Sequence, residues 1–255
     1  MDELERAALG APPWRHSLIG TGQLEQCAGR LRLTVTAPCA DRYSDAQIDD
    51  YQRRSTRPLG HRAPLRLRLR ARFSAEANAL RGTAGFGFWN YPSAWPPTPP
   101  RALWFFFGSP PHDLPLAMGV PGYGWKAATI DTGRPRALAL LPIAPLLIPL
   151  LRQPTLYRGL WPPLQRALGI AEVCLHTTMT DWHEYELVWG ERTSRLLVDG
   201  RTVLADAPSP RGPMCLVIWI DNQYLVATPQ GRLAWGLVAT PQPQWLELDA
   251  LELTR

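Results

Sequence analysis

Trp182-His183-Glu184-Tyr185-Glu186-Leu187-Val188-Trp189, followed by Arg195 to Val198, the pair Asp199-Gly200 and Arg201 to Leu204, decides the fold class of this chain. Tyr185, Leu187 and Trp189 fall on one side of the first run, with Glu184 and Glu186 on the other. A period of two is that of a half-buried strand, because successive side chains point to opposite faces. Asp-Gly between two strand-like runs signals a tight hairpin, since both residues accept positive φ.

The same reading extends outward. Leu65, Leu67, Leu69, Ala71 and Phe73 alternate with Arg66, Arg68, Arg70 and Arg72. The Glu184 and Glu186 side chains are natural cross-strand partners for that arginine face. Further strands are predicted at Arg30–Thr36, Gly85–Asn90, Leu103–Gly108, Met214–Ile220 and Trp245–Leu253. In the last, the alternation slips near Asp249-Ala250, as a β-bulge would cause. The polar stretch from Asp41 to Arg62 reads as a surface loop with a helical turn near Ser44 to Tyr51. The expectation is an all-β, antiparallel sandwich forming one domain over residues 1–255, since sandwiches of this size are usually single.

Composition agrees with many turns and short strands. The 27 prolines are about twice the usual share. The net charge of +5 comes almost wholly from arginine, for Lys126 is the only lysine. Those arginines are spread along the chain, whereas a nucleic-acid binder gathers its charge on one helix or stripe, so no nucleic-acid partner is expected. Cys27, Cys39, Cys174 and Cys215 lack metal-type spacing. They read as buried reduced thiols, with a Cys27–Cys39 bridge left open. Met1 to Arg6 lacks the basic-then-apolar plan of a signal peptide, which predicts a cytoplasmic location.

Residues 134–172 break the β pattern as an apolar, partly helical insertion. Ala137 to Leu151 carries no charge, yet it is shorter than the ~20 residues a spanning helix needs, and its three prolines would leave carbonyls unpaired in lipid. Leu156, Leu160, Leu164 and Leu168 recur at helical spacing and predict an amphipathic helix interrupted at Pro162-Pro163.

The order of these strands resembles the concanavalin A-like lectin/glucanase superfamily, and most closely glycoside hydrolase family 16. Leu67–Phe73 running on to Gly85–Trp89, the Trp182–Gly200 hairpin and the closing Trp245–Leu251 strand carry the resemblance, which spans roughly residues 65 to 253. It implies a jelly-roll sandwich with a sugar-binding cleft on its concave face. It also implies glutamate, aspartate and glutamate at alternate positions of one strand, where retaining hydrolysis needs two carboxyls about 5 Å apart. Alignment on Gly108 puts Arg101, Leu103 and Phe105 at those positions, and no acid occurs between Asn78 and His112. The usual glycosidase mechanism is therefore not expected, and no catalytic residue is assigned.

A strand that is apolar on both faces must be covered on both. Leu103, Phe105 and Phe107 face one way and Ala102, Trp104 and Phe106 the other; the opposing sheet would cover one of these faces, and the insertion would roof the other. The predicted ligand site comprises Trp89, Asn90, Tyr91, Trp104, Trp219, Asp221, Asn222 and Gln223, aromatic platforms beside a polar cluster. Its ligand would be a glycan, a glycolipid or another partly apolar small molecule. Other aromatic candidates are Trp95, Trp125, Trp161 and Trp235. No cofactor or metal is implied: Gly119-Val120-Pro121-Gly122-Tyr123-Gly124 lacks the flanking strand and helix of a phosphate loop, and His176 and His183 have no third ligand in view. Two rival readings stand. One is an enzyme that uses other groups around the same pocket, with His112, Asp113, Asp131 or Asp221 as candidates. The other is a protein that docks to a membrane surface, or to itself, through Leu146, Leu147 and Ile148.

Overall fold

The structure, a computed structural model, describes residues 14–27, 29–51, 60–90 and 98–255. Tyr91 and Trp95 lie outside the described residues. Two seven-stranded antiparallel sheets face each other. The front sheet runs in the order β1 (Arg15–Ile19), β4 (Asp45–Asp49), β13 (Cys215–Asp221), β6 (Thr83–Trp89), β7 (Arg101–Gly108), β8 (Gly124–Asp131) and β9 (Ala171–Cys174). The back sheet runs β12 (Arg201–Pro208), β11 (Thr193–Val198), β10 (His183–Trp189), β5 (Leu65–Phe73), β16 (Gln244–Thr254), β3 (Arg30–Val35) and β2 (Gly22–Cys27). A two-stranded ribbon, β14 (Gln223–Ala227) with β15 (Leu233–Leu237), stands apart from both.

Alternation builds the core. Leu65, Leu67, Leu69, Ala71 and Phe73 of β5 meet Phe86, Phe88, Phe105 and Phe107 of the front sheet in one apolar cluster. Each such large side chain, fully buried, contributes ~1.5–3 kcal/mol. The opposite face of β5 pairs Arg66 with Glu186 and Arg68 with Glu184 across the ladder to β10. Arg70 and Arg72 also sit over the Trp182 ring. The arginine stripe is thus a cross-strand charge ladder. The Asp199-Gly200 turn holds φ values of 49° and 73°, as its composition demands. In β16 the register shifts between Asp249 and Glu252, with Ala250 at φ 49°, which is the expected bulge.

Several expectations are corrected. Asp45–Asp49 is a strand, not a loop or helical turn: Ala46 and Ile48 are buried in the core, and Asp45, Gln47 and Asp49 alternate with them on the opposite face. Arg15–Ile19 and Gly22–Cys27 add two strands to the amino-terminal part. Cys39 is an exposed free thiol, so it is neither buried nor bridged; Cys174 and Cys215 are also free. The insertion forms three helices, α1 (Pro135–Leu138), α2 (Ala144–Leu151) and α3 (Pro154–Ala167). α3 runs unbroken through Pro162-Pro163. The carbonyls these prolines leave without donors belong to Arg158 and Gly159, which are exposed to water, and Gly159 has no Cβ to crowd the pyrrolidine ring. Burial of Trp161, with Tyr157, Leu160 and Leu164 beside it, holds the helix in place. Among the described residues, no helix is long and apolar enough to cross a membrane.

Candidate functional site

The outer face of the front sheet, opposite the core, is built row by row from the strand registers. One row reads Arg15, Asp49, Val217, Gly87, Trp104, Ala128 and Glu172. The next reads Ser17, Gln47, Trp219, Gly85, Phe106 and Lys126, and a third places Asp45 beside Asp221 and Thr83. The β6 glycines make room for the large rings on either side. A Cβ at Gly85 would lie 2.9 Å from the Trp219 ring and 2.3 Å from the Phe105 carbonyl oxygen.

The rings form a continuous floor. Trp89 stacks on Trp104 with centroids 4.8 Å apart, and Trp104 on Phe106 at 5.3 Å. Trp219 lies 6.2 Å from Phe106, and the His112 ring 5.0 Å from it. Above this floor is a pocket of about 670 Å³, walled by Leu114, Leu116, Ile130, Leu225 and Trp235. Its polar end carries Tyr43, Gln47, Thr83, Asp221 and Gln223.

Asp221 is fully surrounded by donors. Its Oδ1 accepts from the Thr83 N–H at 3.2 Å, the Thr83 hydroxyl at 2.7 Å and the Gln223 N–H at 3.1 Å. Burial outweighs these bonds and pushes its carboxyl up to about 7. Asp45, its direct partner across the ladder, is pushed up to about 8 by burial and by the Asp221 and Asp49 charges. Among the described residues, its buried Oδ1 has no hydrogen-bond partner. Asp49 differs: Arg15 grips both its oxygens, at 2.9 and 2.7 Å.

His112 accepts a hydrogen bond from the Leu225 N–H on Nδ1, at 3.2 Å, which puts its proton on Nε2. Burial, with Lys126 adding to it, drives its pKa down to about 3, so the ring is neutral. Asp113 does not orient it, but pairs with Arg232 at 3.2 Å. The Asp113 backbone instead exchanges bonds with Leu225 and Ala227, fixing the β14–β15 ribbon over the sheet.

A buried ion pair holds the loop that supplies Leu114 and Leu116. Lys126 Nζ lies 2.7 Å from Glu172, and each side chain is 1% exposed. The ammonium also donates to the carbonyls of Leu114 and Pro121. Glu172 Oε2 accepts from the N–H groups of Leu116 and Ala117. Every strong polar group of the pair is used, which is what makes burial of two charges tolerable.

The structure brings Trp89, Trp104, Trp219, Asp221 and Gln223 together in the lining of one pocket. Asn90 is not part of it. Its amide bonds Thr98 and Pro99, and its oxygen accepts from the Arg101 N–H, closing the loop between β6 and β7. Asn222 is likewise structural: its amide donates to the carbonyls of Cys39, Arg42 and Val238, and its oxygen accepts from the Ser44 N–H. Tyr91 is outside the described residues. Trp125 is core, and Trp161 is buried on the inner face of α3 with its N–H on the Leu116 carbonyl. Asp131 is buried among Arg101, Arg134 and Arg211, away from the pocket lining.

Two further corrections concern β7 and its cover. Leu103 and Phe105, aligned with the family's acid positions, point into the core, and the residues that face outward are Ala102, Trp104 and Phe106. The strand alternates with one parity only, and the alignment chose the wrong one. The outward set contains no carboxylate either. The insertion does not roof the aromatic floor. Leu151 and the buried face of α3 pack on Ala128 and Ile130 of β8, reaching Trp104 only at its edge, and no residue of 132–172 lines the pocket. Sequence reasoning missed Gln47, Phe106 and Leu114. The alternation Asp45-Ala46-Gln47-Ile48-Asp49 was the available signal for the first.

Neither a protein-family model nor a curated protein sequence matches the chain. Solved structures do resemble it. A Bacillus licheniformis β-glucanase aligns over 95% of this chain and 92% of its own, with 12% identity and a TM-score of 0.51. A structure described under endo-acting O-glycanases of the human gut microbiota that initiate mucin breakdown aligns over 94% and 91%, with 14% identity and a TM-score of 0.51. A laminarinase from Flavobacterium sp. UMI-01 aligns over 95% and 93%, with 11% identity and a TM-score of 0.50. At these identities the likeness establishes the fold alone, the antiparallel jelly-roll β-sandwich that the sequence predicted.

Proposed function

We propose that this chain is a non-hydrolytic ligand-binding sandwich that takes a glycan, a glycolipid or another partly apolar small molecule on the outer face of its front sheet. One observation carries the reading: β7 presents Ala102, Trp104 and Phe106 on that face, and Trp104 stacks with Trp89 and Phe106. Glycoside hydrolysis in its usual forms needs two facing carboxyls, and this position offers aromatic rings. An apolar floor with a few convergent polar groups at one end suits a ligand with a flat or aliphatic body and a hydroxyl-bearing head.

The test is titration of the protein with β-glucan oligosaccharides and with an alkyl glycoside, followed by calorimetry and tryptophan fluorescence. Trp104→Ala is expected to weaken binding by about 1–3 kcal/mol, the range for loss of a ring from a stacked platform. Affinity unchanged in that variant would overturn the reading, as would an absence of binding to any of these probes. The enzyme reading keeps one specific support: Asp221, at the pocket's polar end, holds a carboxyl that titrates near neutrality. Turnover of any glycoside that vanishes in Asp221→Asn, with the fold intact, would favour it over binding alone.

A further inference from the structure

The insertion and the β14–β15 ribbon form one exposed surface with the composition of a membrane-facing element. Ile148 of α2 lies where a Cβ on Gly231, in the ribbon's turn, would approach within 2.5 Å, and Arg152 donates to the Gln230 carbonyl at 3.2 Å. Across the joined elements, Leu141 and Leu146 are 64% and 71% exposed, and Leu233 and Trp235 are 81% and 80% exposed. Leu147 and Ile148, expected as contact residues, are half-buried, so Leu146 is the outward one. Patches of large apolar side chains left in water mark interaction sites.

Charge identifies the occupant. From Thr132 to Ala171 there is no aspartate or glutamate, while Arg136, Arg152, Arg158 and Arg166 are exposed around the leucines. We propose that this surface docks onto an anionic lipid bilayer, with Leu141, Leu146, Leu233 and Trp235 entering the headgroup boundary and the arginines meeting lipid phosphates. Long basic side chains rimming an aliphatic and tryptophan face are the arrangement that favours the plane of the interface. A second copy of the chain fits less well, because a two-fold contact through this patch sets an arginine rim against the same rim with no acid to pair. Leu225 and Trp235 also line the pocket, so docking brings the pocket's mouth to the lipid.

The experiment is co-sedimentation of the full chain with phosphatidylcholine vesicles, with and without phosphatidylglycerol. Leu141→Glu/Leu146→Glu is compared with the charge-matched Thr202→Glu/Ala205→Glu on the exposed edge strand β12. Binding to the anionic vesicles is expected, reduced about tenfold or more by the first pair and far less by the second. The proposal is overturned if the two pairs weaken binding equally, which would leave only the general charge of +5. It is also overturned if the chain stays in the supernatant at low salt, or if the first pair acts only by dissociating a dimer on size exclusion. None of these results depends on whether the pocket binds a glycoside.

Discussion

Asp45 on β4 and Asp221 on β13 stand directly opposite each other across an antiparallel ladder, both buried and on the same face of the sheet. Two carboxylates so placed repel, and burial disfavours the charge on each. Thr83 and Gln223 donate to Asp221, whereas among the described residues one Asp45 oxygen has no partner. The ladder therefore favours a proton retained near neutrality, most naturally on Asp45.

This arrangement fixes a pH dependence. Between the ordinary carboxyl value of 3.8 and the folded values of about 7 and about 8, the folded chain binds more protons than the unfolded chain, so stability falls as pH rises through that window. His112 acts in the opposite sense: its folded value of about 3 lies below 6.5, so stability falls as pH drops below 6.5. Thermal unfolding followed by circular dichroism should show the contribution of these groups greatest near the ordinary carboxyl value and declining from there to about pH 8, where both carboxyls are ionised. Asp45→Asn, which mimics the protonated acid, should flatten that decline. An unchanged decline in that variant would show that Asp45 does not hold the proton.

The Lys126–Glu172 pair should behave as a unit. Lys126→Met or Glu172→Leu alone leaves a charge buried at a site with 1% exposure and should cost about 3–5 kcal/mol. The double substitution should recover much of that loss, yet it also frees the loop carrying Leu114 and Leu116. Chemical denaturation of the three variants measures the coupling, and losses that simply add would refute it.

Gly85→Ala probes the aromatic floor from below. The new methyl meets the Phe105 carbonyl at 2.3 Å and the Trp219 ring at 2.9 Å, so strand or ring must shift. Overpacking of this kind costs about 1–3 kcal/mol. We expect a lowered unfolding midpoint together with altered tryptophan emission. A wild-type midpoint and spectrum would mean that the glycine is not what seats the Trp219 indole.

Much of the fold was legible because its determinants are local. The arginine and leucine alternation in β5, the Asp199-Gly200 turn and the slip at Ala250 are each specified by neighbouring residues. β4 was not legible in the same way. Its acids looked solvated, and they become strand residues only because Arg15, Gln47 and the sheet around them satisfy Asp49 inside the protein.

The candidate site divides along the same line. Trp89, Trp104, Trp219, Asp221 and Gln223 could be named from the apolar runs that became β6, β7 and β13 and from the turn after β13. Asn90 and Asn222 have the same polar composition, but the Asn90 amide is spent on Thr98 and Pro99 a few residues on, and the Asn222 amide on carbonyls of Cys39 and Arg42 far back in the chain.

The sequence by itself determined a two-sheet sandwich and an acid-free aromatic strand, because a period of two and the absence of carboxylates are properties of the linear chain. Only the tertiary structure decided which face of that strand meets the pocket, that the insertion flanks the floor without roofing it, and that Asp45 meets Asp221. Strand parity, lateral packing and cross-strand pairing depend on register between segments far apart in the chain, and no single segment encodes them.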